Sequence, residues 1–106
     1  MSLDVWLIVG DDCVWSGNIT HNVNKIAMEI CAYECLWRPD EIGVVYAKDN
    51  IKDLESALLA LNRMYDKLDA LNPPNGWGTL DGLIEFVMDY LRSCHRYPDA
   101  KINVDR

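Results

Sequence analysis

The chain has 106 residues, of which 50% are hydrophobic and 25% are charged. This length suits a single domain, residues 1–106, with one core, and the composition is typical of a soluble globular protein. Acidic residues number 17 against 10 basic ones, which gives a net charge of −7. Because an acidic surface repels phosphate, we expect no direct binding of nucleic acid.

The sequence predicts a cytoplasmic protein that does not enter the membrane. The apolar stretch at residues 3–9 is too short for a secretory signal and runs into Asp11 and Asp12. No apolar run approaches the roughly 20 residues that span a bilayer. The four cysteines are therefore interpreted as reduced thiols.

The first two predicted elements form a β-hairpin. Residues 3–9 are rich in β-branched and aromatic side chains, residues 10–12 favour a turn, and residues 13–15 resume the strand pattern. Apolar side chains fall on both faces of the first strand, with Trp6 and Ile8 on one of them. This pattern predicts a strand that is buried on two sides.

A helix is predicted next, because the spacing of apolar residues changes to three and four. Its apolar positions are Val23, Ile26, Ile30, Tyr33 and Trp37. Either Thr20 or Asn22 caps its start, and Pro39 ends it. Residues 39–43 are predicted to form a turn, and residues 44–46 a buried connector rather than a strand.

Two more helices and a last strand complete the pattern. Residues 47–71 predict the longest helix, because their apolar residues again repeat at three and four. Segment 72–78 ends this helix with prolines and glycines. Thr79 is the predicted cap of the third helix, and residues 101–106 alternate as an edge strand does.

Together these elements predict an α+β fold in the order β-β-α-α-α-β. A lone hairpin is only marginally stable, so we expect the C-terminal strand to join it. The expected result is a small antiparallel sheet, made from the N-terminal hairpin and the C-terminal strand, packed on three helices.

The densest group of neutral polar side chains lies where the hairpin meets the first helix. Asn18, Thr20, His21 and Asn22 combine two amides, a hydroxyl and an imidazole. One interpretation is helix capping by the Asn and Thr side chains. The other is a ligand-binding site in which backbone amides bind an anion, His21 is a donor or base, and Arg38 contacts an anionic group.

Trp37 and Trp77 are candidate interface residues. Trp and Arg are enriched in interface hot spots, and Arg38 directly follows Trp37. The alternative is that Trp37 ends its helix against the core, while Trp77 fills the end of the loop between the second and third helices.

The cysteines raise the question of a metal site. Potential zinc ligands are Cys31, Cys35, Cys94 and His95. Their spacing differs from that of zinc ribbons and fingers, and single buried thiols are common in protein cores, so we predict no metal site. No glycine-rich phosphate loop or nucleophile elbow is present, and we expect no cofactor.

Four segments stand out along the chain: NITHN at 18–22, LWRP at 36–39, NGWGT at 75–79 and YPDA at 97–100. Together they resemble small, uncharacterised proteins that bacteriophages and prophages encode. The resemblance extends over nearly the whole chain. It implies a phage-related origin and a bacterial host cytosol, and it carries over no catalytic residue.

Two functions are predicted. The first is a non-enzymatic phage accessory protein that binds an unidentified protein partner, with a homo-oligomer as one form of assembly. It is favoured because the sequence supplies no complete catalytic set. The alternative is a small ligand-binding protein or enzyme whose polar site is the strand-to-helix junction at residues 18–22.

Overall fold

A computed structural model describes residues 1–74, 76 and 78–106 of the chain. Within them the chain forms three β-strands, five α-helices and three short 3-10 turns. The strands are β1 (Ser2–Val9), β2 (Asp12–Thr20) and β3 (Lys101–Asp105). The helices are α1 (Asn24–Glu29), α2 (Tyr33–Trp37), α3 (Ile51–Arg63), α4 (Tyr65–Asp69) and α5 (Leu80–Arg96). The 3-10 turns lie at His21–Val23, Pro39–Ile42 and Ala47–Asp49.

The strands form one antiparallel sheet in the order β2-β1-β3, which confirms the predicted α+β fold. β1 is therefore the central strand, and its register places Val5 opposite Gly17 on one side and Val104 on the other. Gly10 opens the hairpin turn with a φ of 62°. A residue at the first central position of a type II′ turn needs this left-handed angle, which glycine adopts without strain.

One face of the sheet belongs to the core and the other is open. The fully buried residues of β1 are Leu3, Val5 and Leu7. The alternate residues Trp6 and Ile8 are only half-buried, so the prediction that this strand is buried on both sides is wrong. Trp6 has Ser16 and Asn103 as its cross-strand neighbours, and such small polar side chains shield an indole only in part.

Helix α5 packs against the inner face of β2. The rings of Trp15 and Tyr90 are stacked with centroids 5.2 Å apart, and Trp15 Nε1 donates a hydrogen bond to Asp89 at 2.9 Å. The predicted cap of this helix is confirmed, since Thr79 Oγ1 accepts the backbone N–H of Gly82 at 3.0 Å. These contacts fix the hairpin over the third predicted helix.

The predicted first helix is divided into α1 and α2, so the prediction of one continuous helix is wrong. The chain turns at Cys31, whose φ is 59°. The N–H of Cys31 donates to the carbonyl of Met28 at 3.1 Å, and the N–H of Ala32 donates to that of Ala27 at 2.8 Å. This pair of bonds is a Schellman motif. Apolar spacing continues across the break because both short helices face one core, and spacing alone therefore does not reveal it.

The longest predicted helix is divided as well. It consists of the 3-10 turn Ala47–Asp49, then α3, then α4 after a break at Met64. Between the turn and α3 lies Asn50, whose side chain is fully buried. Its Nδ2 donates to the carbonyl of Cys35 at 3.0 Å and to the hydroxyl of Tyr90 at 3.2 Å. This amide therefore joins α2, α3 and α5 inside the core.

The connector that follows the second 3-10 turn covers the start of β3. Tyr46 forms an isolated antiparallel bridge with Lys101, and the N–H of Ile102 donates to the carbonyl of Val45 at 2.9 Å. Val44 is buried, whereas Val45 and Tyr46 are exposed. The prediction of a buried connector is therefore right for Val44 alone, because the next two residues lie along a sheet edge.

Candidate functional site

The strand-to-helix junction contains a helix cap. Thr20 Oγ1 accepts the backbone N–H of Asn22 at 3.3 Å, and this bond satisfies one of the free amides at the start of the turn His21–Val23. The capping interpretation is thus confirmed for Thr20. The side chain of Asn22 is exposed beside it.

Asn18 lies apart from this junction, on the open face of the sheet. Its Nδ2 donates to Ser2 Oγ at 2.9 Å and to Asp4 Oδ1 at 2.6 Å, both on the neighbouring strand. These bonds couple β2 to β1 across the open face. Asn18 therefore does not join His21 in one site.

His21 lies against Trp37, with ring centroids 6.3 Å apart and planes tilted by 59°. Two ring nitrogens, His21 Nε2 and Trp37 Nε1, are buried and have no hydrogen-bond partner among the described residues. Buried polar groups in native proteins nearly always have a partner, so each is a group that a bound polar atom would stabilise.

A cleft of about 300 Å³ opens beside His21. It is lined by His21, Asn22, Asn24, Lys25, Leu71, Pro73 and Pro74. Within the described part of the chain, no carboxylate lies within 4.0 Å of the Lys25 ammonium group. An imidazole, two amides and an unpaired ammonium group form a neutral to positive cleft on an acidic protein, and such a cleft suits a small anion.

Arg38 does not line this cleft. Its Nε donates to the hydroxyl of Tyr33 at 3.1 Å, and its Nη1 pairs with Glu41 Oε2 at 2.5 Å. The predicted role of Arg38 in binding an anionic group together with His21 is therefore not supported, because a neighbouring carboxylate already pairs with its charge.

Trp37 is part of the core. Its side chain is 2% exposed and stacks on Tyr33 with centroids 5.6 Å apart. We therefore correct its assignment as an interface residue, because a buried indole offers no surface to a partner. The second candidate, Trp77, lies outside the described residues.

The cysteines are mainly structural. Cys35 and Cys94 are buried, and burial raises the pKa of each thiol to about 12. Both are therefore protonated and weakly nucleophilic at neutral pH. Cys31 is exposed at the turn between α1 and α2. In the ranges that the structure describes, no three His, Cys, Asp or Glu side chains form a group that could hold a metal ion.

At alternate residues of β2, the backbone N–H and C=O groups point away from β1 and out of the sheet. Ile102 of β3 donates its N–H to Val45, so its backbone groups point away from β1. Leu7 of β1, which is paired with Ile102, therefore directs its own N–H and C=O groups toward β2, where they face Trp15. Backbone direction alternates along a strand, so the N–H and C=O groups of Ser16 and Asn18 point away from the sheet. They form a free edge, since no other described residue makes a backbone hydrogen bond to them.

The two edges of the sheet differ in their protection. β3 has only five residues, carries the charged Lys101 and Asp105, and is covered at its start by Val45. β2 has nine residues, and from 13 to 20 it contains neither a charge nor a proline. Charges, prolines and short length are the usual means by which proteins keep an edge strand unpaired. From residue 13 to residue 20, the edge of β2 lacks them.

Sequence reasoning missed this edge, although its signal is present. The uncharged run from 13 to 20 is visible in the sequence, but whether its strand is central or at an edge depends on the sheet order.

No helix in the described ranges combines the length and hydropathy needed to cross a membrane. Comparisons with protein-family models, with curated proteins and with solved structures gave no match.

Proposed function

We propose that this protein is a non-enzymatic interaction module that binds an extended segment of protein at the free edge of β2. The observation that carries the proposal is the unprotected backbone at Ser16 and Asn18. Strand addition uses main-chain hydrogen bonds for affinity and alternate side chains for specificity. An added strand would form hydrogen bonds with the free backbone groups at alternate residues of β2. Residues 13–20 of this edge carry no charge that would repel it.

The chemistry of the remaining side chains supports a binding role over catalysis. The two buried thiols are protonated at neutral pH. His21 has no hydrogen-bonded carboxylate among the described residues to orient it as a base. From the resemblance to phage proteins, we propose that this module acts in the cytosol of a bacterial host.

The edge proposal can be tested with a matched pair of lysine substitutions. Ser16 and Asn103 are both exposed and both pair with Trp6, one on each edge of the sheet. A displayed library of short linear peptides is selected on the wild-type protein, and binding is then measured to S16K and N103K. We expect S16K to lose binding, because a charged lysine blunts the edge, and N103K to retain it.

Amide hydrogen exchange locates the bound peptide independently of affinity. The amides of Ser16 and Asn18 should become protected when the peptide binds. The proposal is overturned if the protein is monomeric and no extended peptide binds, or if the selected peptides bind S16K and wild type equally.

A second candidate function is anion binding in the cleft beside His21, favoured by the orphan Nε2 and the unpaired Lys25. Titration with inorganic phosphate, followed by the backbone amide NMR shifts of residues 22–25, tests it. We expect H21A and K25A to abolish saturable shifts, and K52A, which removes another exposed helical lysine, to leave them unchanged. Shifts that do not saturate, or that persist in K25A, exclude the anion site.

A further inference from the structure

We infer that the segment added to the edge of β2 is the β2 strand of a second copy of this chain, paired antiparallel about a two-fold axis. This inference rests on the proposed use of the edge and names its partner. An isologous interface needs one surface that is complementary to itself. Three properties of β2 meet that requirement.

The first property is the distribution of charge along the strand. Asp11 and Asp12 lie at its start, whereas His21 and Lys25 follow its end, and residues 13–20 between them are uncharged. Antiparallel pairing brings the acidic start of each strand toward the end of the other strand, which Lys25 follows. Parallel pairing would place acid beside acid. Charge complementarity therefore selects the antiparallel arrangement.

The second property is the glycine in the middle of the strand. With Gly17 on the two-fold axis, Ser16 faces Asn18 of the second copy, and the outward backbone groups of each such pair exchange both hydrogen bonds. On the inner face Trp15 then lies beside Ile19 of the second copy, which joins the two hydrophobic cores. Glycine itself adds no side chain where the two strands approach.

Packing at the end of β2 limits the register to this part of the strand. A β-carbon placed on Gly78 would lie 2.4 Å from Thr20 Cγ2, so the chain before α5 already packs tightly against Thr20. The part of the β2 edge that a second strand can pair with thus ends near Ile19. Pairing centred on Gly17 uses residues 15–19 and fits within that stretch.

The third property concerns the edges that remain after pairing. Two sheets joined through β2 form one continuous six-stranded sheet, a common size. Both outer edges of that sheet are then β3, the strand that carries charges and is covered by the connector. Pairing therefore removes the unprotected edge and leaves only protected ones. Self-pairing therefore explains why β3 has the features of a protected edge strand and β2 does not.

Sedimentation velocity over a range of protein concentrations tests the inference with S16K and N103K. We expect wild type and N103K to dimerise, and S16K to dissociate with a Kd about tenfold higher or more, since the two introduced lysines then lie as diagonal neighbours across the axis and repel each other. Hydrogen exchange should show that the amides of Ser16 and Asn18 become protected only as the protein concentration rises.

A charge exchange outside the sheet tests the direction of pairing without disturbing β2. K25E places an acid near the end of β2 that faces the acidic start of the second copy's β2, and it should weaken the dimer. Adding D11K to K25E should restore much of the affinity. High salt should weaken the wild-type dimer and reduce both effects.

The outcomes separate this inference from the proposed function. A wild-type protein that stays monomeric, with unprotected Ser16 and Asn18 amides at high concentration, overturns self-pairing. Peptide binding that S16K abolishes would in that case still support the edge as a site for another protein. A dimer that is unaffected by S16K, or by K25E, overturns the assigned interface.

Discussion

Cys31 shows how one residue ends a helix against its own conformational preference. Its φ of 59° is left-handed, and the Schellman motif that it completes usually has glycine at this position. A side chain with a β-carbon is strained there, because the β-carbon approaches the neighbouring carbonyl oxygen. The thiol is exposed, so packing does little to offset the strain.

Replacing Cys31 with glycine should therefore stabilise the protein. We expect C31G to raise the free energy of unfolding by about 0.5–1 kcal/mol, the gain from relieved strain after the higher entropy of the unfolded chain is subtracted. Chemical denaturation measures it. C31A retains the β-carbon and should give no such gain, so equal stabilisation by C31A and C31G would contradict this explanation.

At the scale of elements, the contact between β2 and α5 depends on the absence of a side chain. A β-carbon on Gly17 would lie 2.6 Å from the ring of Trp15 and 3.0 Å from that of Phe86. The indole of Trp15 therefore folds over Gly17 and stacks on Tyr90. This interlock sets the position of the hairpin on the helical layer.

A methyl group at Gly17 should disturb that interlock. We expect G17A to lower the free energy of unfolding by about 1–3 kcal/mol, the usual cost of overpacking a core contact. The near-ultraviolet circular dichroism should also change as the Trp15 stack shifts. S16A alters the adjacent residue on the open face and should stay within about 0.5 kcal/mol of wild type at the same protein concentration. A G17A protein as stable as S16A would contradict the interlock.

At the scale of the whole molecule, an ion pair joins Arg106, which follows β3, to the middle of the chain. Arg106 donates to both carboxylate oxygens of Asp40, at 3.0 and 3.2 Å. It also donates to the carbonyl of Trp37 at 3.4 Å. The hydrogen bond from Arg106 holds the pKa of Asp40 below its ordinary value of 3.8. The pair thus holds the strand β3 against the 3-10 turn Pro39–Ile42.

The lowered pKa of Asp40 determines how its contribution depends on pH. A carboxyl group whose pKa is depressed in the folded state stabilises it above the unfolded pKa, and loses that effect as pH falls through the folded pKa. D40N should therefore have a lower Tm than wild type at pH 7, and the difference should shrink as the pH falls below 3.8 and Asp40 becomes protonated. D105N changes a neighbouring acid that has no ion pair among the described residues. A pH-independent difference for D40N, or an equal one for D105N, would contradict the assignment.

The elements that depend on local rules could be predicted from the sequence. Richness in β-branched and aromatic residues predicted β1, and alternation predicted β3. Apolar spacing predicted α3 and α5, and the Thr79 hydroxyl predicted a helix start that the structure confirms. These features follow from the periods of strands and helices and from the hydrogen bonding of one side chain to amides nearby. None requires knowledge of what packs against what.

The positions of the polar residues and the free surfaces follow from long-range packing, which local patterns do not specify. Asn18 and His21 are three positions apart in the sequence, yet Asn18 faces the open side of the sheet while His21 lies against Trp37. The place of β1 between the other two strands makes β2 an edge. Long-range strand pairing and helix packing decide such neighbours, and an alternating pattern is the same in a central strand and in an edge strand.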